Sequence, residues 1–123
     1  MPLSYVARGR VVEVLLAGDY QEDEVSDLAR RVRADPALPP SFDLLIDARA
    51  SNRAPTVAEL EMRVATLAAL RDRLTGRIAM VVSDDLRFGL ARLLEAHLEP
   101  FGMDARAFRS VESARAWLEA PPG

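Results

Sequence analysis

The sequence predicts a single α/β domain with a mixed, mostly parallel sheet, an N-terminal β-hairpin and four helices. Three observations predict it. Residues 78–82 form a short, uncharged apolar run that stops at Ser83-Asp84-Asp85 and passes at once into a helical pattern. Such a run suits a strand buried on both faces, as in a parallel sheet covered by helices. Residues 42–46 form a second such strand, ending at Asp47 and followed by another helical pattern. Upstream, residues 3–7 and 11–16 are β-prone runs separated by Arg8-Gly9-Arg10, which reads as a hairpin with Gly9 in its turn.

The remaining elements follow in order. Glu22-Asp23-Glu24 opens a helix over residues 22–33 and Arg30, Arg31 and Arg33 close it, so both ends complement the helix dipole. Val25, Leu28, Ala29 and Val32 make its buried stripe. Pro36, Pro39 and Pro40 form a non-helical connector to the second strand. Residues 48–55 read as a loop and residues 56–74 as a long helix, with Gly76 as its stop. Its inward stripe is Val57, Leu60, Val64, Leu67, Ala68 and Leu74; Met62, Ala65 and Ala69 form a second apolar side suited to a homodimer. In the helix after Asp85, Leu86, Leu90, Leu93, Leu94, His97 and Phe101 share a stripe, with Phe88, Arg92, Glu95 and Glu99 opposite. Gly102 closes that helix, residues 105–108 make a last strand, and residues 111–118 a last helix. The domain spans residues 1–120 and a tail 121–123. After the hairpin, strands and helices alternate, which implies right-handed parallel crossovers.

Composition narrows the function. The chain has 123 residues, enough for one core, and half of them are hydrophobic, so disorder is not expected. A net charge of -3 argues against a nucleic-acid binder. All 16 basic residues are Arg, which accords with an Ala-rich chain from a GC-rich genome. There is no Cys, which excludes disulfides, thiolate nucleophiles and Cys-held metals. No stretch has signal-peptide or transmembrane character, so a cytoplasmic protein is expected.

Individual motifs resist a catalytic reading. Thr56 and Glu59 form a Thr-x-x-Glu capping box behind Pro55, which explains both residues without chemistry. A helix N-terminus also stabilises added phosphate charge, so phosphorylation at Thr56 is the functional alternative. Asp47, Asp84 and Asp85 would suit Mg²⁺ if they converged, but Asp84 or Asp85 is more simply an N-cap, and no metal or other cofactor is expected. His97 is the only His, on an apolar stripe with no triad partner nearby in sequence. Ser83 lacks a Gly-x-Ser-x-Gly context. An enzyme is not expected.

Val14-Leu15-Leu16-Ala17-Gly18-Asp19-Tyr20, Leu44-Leu45-Ile46-Asp47, and Val81-Val82-Ser83-Asp84 with Phe88-Gly89-Leu90-Ala91-Arg92 resemble, in that order, segments of the STAS domain family (sulfate transporter and anti-sigma factor antagonist). The likeness is greatest to its SpoIIAA-like branch and covers nearly the whole chain. It implies a small regulatory or partner-binding domain. In the anti-sigma antagonists a Ser at the start of the helix after the Asp-ended strand is phosphorylated. Their Asp-Ser-Ser-Gly-like motif is absent here, and Ala54-Pro55-Thr56-Val57 stands in its place; Thr56 is the nearest hydroxyl at that helix start and Ser51 lies in the loop before it, so these are the positions at which the resemblance implies phosphorylation.

The expected binding surface is the carboxyl edge of the sheet, where open α/β sheets carry their ligands: Asp47, Arg49, Ser51, Arg53, Thr56, Ser83, Asp84, Arg87 and Phe88. A protein partner is the first expectation, with Phe88 either an exposed anchor ringed by Arg or covered by the loop of residues 48–55. A small-ligand or lipid-binding module using the same edge is the second. A deep apolar pocket beside Phe88 would favour the ligand; a flat face with Phe88 exposed would favour the protein.

Overall fold

A computed structural model describes residues 3–121; of the tail assigned to 121–123, Pro122 and Gly123 lie outside the described residues, as do Met1 and Pro2. β1 (Leu3–Arg8) and β2 (Val11–Gly18) are joined by a two-residue turn in which Gly9 adopts a φ of 61°, as the sequence predicts. α1 (Glu22–Ala34), β3 (Phe42–Ser51), α2 (Val57–Ala68), β4 (Leu74–Val81), α3 (Asp85–Leu98), β5 (Ala105–Phe108) and α4 (Val111–Glu119) follow. The sheet order is β1-β2-β3-β4-β5, antiparallel in the first pair and parallel in the rest.

That order dictates the layers. Successive strands step in one direction across the sheet, so right-handed crossovers put α1, α2 and α3 on one face. There they pack on Val12, Val14, Leu16, Leu44, Ile78 and Met80. α4 follows the last strand and crosses nothing. It covers the other face at Leu45, Ala79 and Val81 through Val111, Ala114 and Leu118. It reaches β3, β4 and β5 and, through Arg115, holds Glu13 of β2 at 3.0–3.1 Å, while Val6 and Leu15 farther out on the hairpin stay exposed.

Four expectations need correction. β3 continues to Ser51, because residues beyond Asp47 pair with the end of β2 past a bulge between Leu15 and Ala17. Asp47 is therefore inside β3, although it is level with Val81 at the end of β4. α2 stops at Ala68, and Leu74 and Gly76 belong to β4. Gly76 is not a helix stop but a point of close approach: a Cβ there would lie 1.6 Å from Asp43 Oδ1, which accepts from Arg77 N at 2.9 Å. In α2, Leu60, Val64 and Leu67 are buried while Val57 is exposed, and Met62, Ala65 and Ala69 face outward. α3 is rotated from the expected face. It buries Ala91, Leu94 and Leu98 and turns Leu86, Leu93 and His97 to solvent, with Phe101 beyond its end also exposed.

The turn between α2 and β4 is held by Arg73. One of its terminal nitrogens donates to the carbonyls of Val32, Arg33 and Asp35, and the other to those of Leu38 and Pro39, at 2.8–3.2 Å. The guanidinium thus supplies the end of α1 and the Pro-rich connector with donors that their own backbone lacks.

Candidate functional site

Between the sheet and α1–α3 lies a cavity of about 100 Å³. Leu44, Ile46 and Ala48 of β3 and Met80 and Val82 at β4 form part of its floor; Leu28, Leu60, Leu67 and Leu94 come from the helices. Its lining is overwhelmingly apolar. The polar side chains that reach it, Tyr20, Ser51, Arg53, Arg63, Thr66 and Arg87, come from the ends and flanks of these elements.

Most of those groups form a closed network. Tyr20 Oη and Ser51 Oγ lie 3.0 Å apart. Ser51 Oγ donates to the Arg53 carbonyl at 3.1 Å, so the Tyr20 hydroxyl is the donor of the pair. Arg53 Nη1 donates to the Tyr20 carbonyl at 2.9 Å, its guanidinium lies 5.7 Å from the Tyr20 ring centre, and its other terminal nitrogen pairs with Glu59. Arg63 grips the buried Glu22 carboxylate at 3.1–3.2 Å and reaches Tyr20 Oη at 3.4 Å. Arg87 donates to the Arg53 carbonyl at 3.3 Å and pairs with Asp84.

Every one of these guanidiniums therefore has a carboxylate: Glu59, Glu22 and Asp84. Burial works against the Arg63 charge, but its hydrogen bonds to Glu22 and that group's negative charge outweigh it and raise the pKa above the ordinary value. The Thr56 backbone N–H and the Arg53 side chain hold Glu59 below the usual carboxylate range. The Arg87 backbone N–H, then its guanidinium, do the same for Asp84.

The structure brings part of the sequence-derived surface to this mouth and separates the rest. Ser51, Arg53 and Arg87 line the cavity, and Asp84 joins them through Arg87. Thr56 lies alongside as the cap of α2: its hydroxyl accepts from Glu59 N at 3.2 Å and its N–H donates to Glu59 at 2.9 Å. Ser51 is buried, whereas Thr56 is exposed. Asp47 and Arg49 alternate to the α4 side of the sheet, where Arg49 holds the Asp47 carboxylate at 2.9–3.0 Å and lowers its pKa. Ser83 is exposed at the end of β4. Phe88 is not an exposed anchor: it is half-buried against the core, with Arg109 5.1 Å from its ring centre. Asp85 pairs with Arg109, so the three aspartates do not converge.

Tyr20, Glu22 and Arg63 were not singled out by the sequence. Glu22 reads there as a first-turn acid, and nothing local marks a partner 41 residues away.

The order of elements, with strands stepping one way across a mixed sheet, has a counterpart among solved structures. No family model matches the chain, and no curated protein matches it. A solved structure does: an uncharacterised protein of the DUF3478 family from Shewanella loihica PV-4, described as having a SpoIIAA-like fold. The two superpose with a TM-score of 0.58 over 94% of this chain and 91% of the other, at 13% identity. The fold is SpoIIAA-like. At that identity the likeness concerns the SpoIIAA-like architecture and carries no site residue across. Within this SpoIIAA-like chain, no helix among the described residues is long and apolar enough to cross a membrane.

Proposed function

We propose that this chain is a non-enzymatic binding domain whose ligand is a small, uncharged, mainly apolar molecule held between the sheet and α1–α3. The observation that carries the reading is the cavity itself, apolar within and rimmed by a hydrogen-bonded network in which each Arg already has its carboxylate. An anionic headgroup would have to displace Glu59, Glu22 or Asp84, whereas a neutral ligand leaves those pairs intact. At about 100 Å³ it is smaller than an engineered apolar cavity of about 150 Å³ that stays dry and binds benzene, so it suits a short alkyl chain or at most one small ring. A protein partner at the same edge has less support, because Phe88 packs inward and Asp47 and Arg49 lie on the other side of the sheet.

The test is a thermal-shift and NMR titration with small uncharged probes such as butanol, pentanol and benzene. Binding raises the melting temperature and moves amides around Ile46, Ala48 and Leu94. Ala48→Leu fills the space and abolishes both effects while the variant stays folded. If no probe moves those amides in the wild-type protein, the ligand reading fails.

A further inference from the structure

The polar rim of the cavity is unevenly supplied with donors and acceptors. Its acceptors are largely occupied. The Glu22 carboxylate takes three hydrogen bonds from Arg63. Ser51 Oγ accepts from the Tyr20 hydroxyl and from Arg53 N at 3.4 Å. The hydroxyl protons are committed as well: that of Tyr20 to Ser51, that of Ser51 to the Arg53 carbonyl, and that of Thr66 to the Met62 carbonyl at 2.9 Å. The N–H groups of Arg63 are not all committed. A guanidinium carries five of them. Arg63 bonds through Nε and Nη2, and its Nη1 meets no acceptor among the described residues. No buried side-chain nitrogen or oxygen among those residues lacks a partner, so Nη1 stands where a water or a ligand atom reaches it. Of the three Arg side chains at the rim, Arg63 is the least exposed, at 15% against 19% for Arg87 and 27% for Arg53. Leu60 and Leu67, a turn to either side of it on α2, line the apolar interior beside it.

We propose that Arg63 Nη1 selects the ligand: the molecule carries, at the end lying against the rim, a hydrogen-bond acceptor with no proton of its own, a ketone or another neutral carbonyl. The inference rests on the cavity reading above and adds the chemistry of the ligand's polar end. A carbonyl oxygen accepts from Nη1 and needs no acceptor in return. An alcohol oxygen accepts there too, but its own proton then finds the neighbouring acceptors taken, and an unmet hydroxyl in a confined site is destabilising. A hydrocarbon fills the apolar interior and leaves Nη1 to water. Glu22 already neutralises the guanidinium, so a neutral acceptor suffices. Arg63 thus has two roles on two edges: Nε and Nη2 hold α1 through Glu22, and Nη1 meets the ligand.

Cyclopentanone, cyclopentanol and cyclopentane, each one small ring, separate these cases in NMR titrations of the wild-type protein. Cyclopentanone binds at least about tenfold more tightly than cyclopentanol, on the scale of one unpaired hydroxyl. By infrared spectroscopy the bound ketone keeps a carbonyl stretch close to its frequency in water. The double variant Arg63→Met, Glu22→Leu removes the donor without stranding a charge. In it the ratio of ketone to cyclopentane affinity falls at least about tenfold, and the carbonyl stretch rises toward its frequency in an alkane. If none of the three rings binds the wild-type protein, the cavity reading fails and this inference with it. If cyclopentane binds but the ketone binds no better than the alcohol, or the double variant keeps both the affinity ratio and the carbonyl frequency, Arg63 does not select the ligand and the cavity reading alone stands.

Discussion

Arg63 of α2 holds Glu22 of α1 through three hydrogen bonds of 3.1–3.2 Å at the rim of the cavity, and both side chains are largely shielded from water. This pair ties two helices that flank a surface groove lined by Ser26, Ala29, Thr66 and Ala69. A buried pair stabilises little against an apolar replacement, but removing one member strands a charge. Arg63→Met should therefore destabilise the protein by about 3 kcal/mol. Adding Glu22→Leu should restore much of that loss. Urea denaturation of the two variants measures it; a double variant no more stable than the single one would contradict the account.

The cap on α2 gives a smaller effect. Thr56→Ala removes the acceptor for Glu59 N and should cost about 1 kcal/mol, with the probe binding described above unchanged. A Thr56→Glu variant that alters binding without altering stability would instead point to the phosphate reading of this residue.

Acid should weaken the fold in a defined window. Glu59, Asp84 and Asp47 all have pKa values depressed in the folded chain by hydrogen bonds, from Thr56 and Arg53, from Arg87, and from Arg49 respectively. Their contribution is complete above about pH 5.5, about a unit above the unfolded values, and is lost as pH falls through the lower folded values. Denaturation midpoints should hold steady from neutral pH to that point and then fall. Glu59→Gln should make the acid limb shallower. An unchanged limb would mean that this carboxylate contributes nothing there.

At Gly76 any Cβ collides with the Asp43 carboxylate. Gly76→Ala must turn Asp43 away and leave the Arg77 N–H without its acceptor, a loss of about 1–3 kcal/mol. Adding Asp43→Ala relieves the clash but not the unpaired donor, so the pair should recover only part of the stability. Full recovery would show that the Arg77 hydrogen bond is worth nothing.

Phe88→Ala tests where that ring belongs. Half-buried under Arg109, it should cost about 2 kcal/mol, less than the 3–5 kcal/mol of a fully buried aromatic. A melting temperature unchanged from wild type would return Phe88 to the surface.

What the sequence made legible was local. Gly9, Thr56, Asp84 and Gly102 sit at the turns and caps that their chemistry suggests, and the order of elements follows from the breaks between apolar runs. What it hid depends on distant partners. Ala48, Arg49 and Ala50 look like loop residues until β2 is set beside them. Leu74 continues the helical spacing of α2, but Arg73 is occupied by carbonyls of the preceding connector and the chain turns there. In α3, leucines point in several directions, so periodicity alone does not choose the buried side; the packing of Ala91, Leu94 and Leu98 does. The site was half visible for the same reason. Ser51, Arg53 and Arg87 follow strand ends, whereas Tyr20, Glu22 and Arg63 become a cluster only once α1 and α2 lie side by side.

Arg73 has a mechanical consequence. Five carbonyls share one guanidinium, so the tail of α1, the Pro-rich connector and the first residues of β4 are riveted together at the end of the helical layer remote from Glu22 and Arg63. Any separation of α1 from α2 must then swing about that rivet, widening most at the rim where Tyr20 and Ser51 sit. Opening at that rim would have to break the Glu22–Arg63 pair and the hydrogen bond between Tyr20 and Ser51 together.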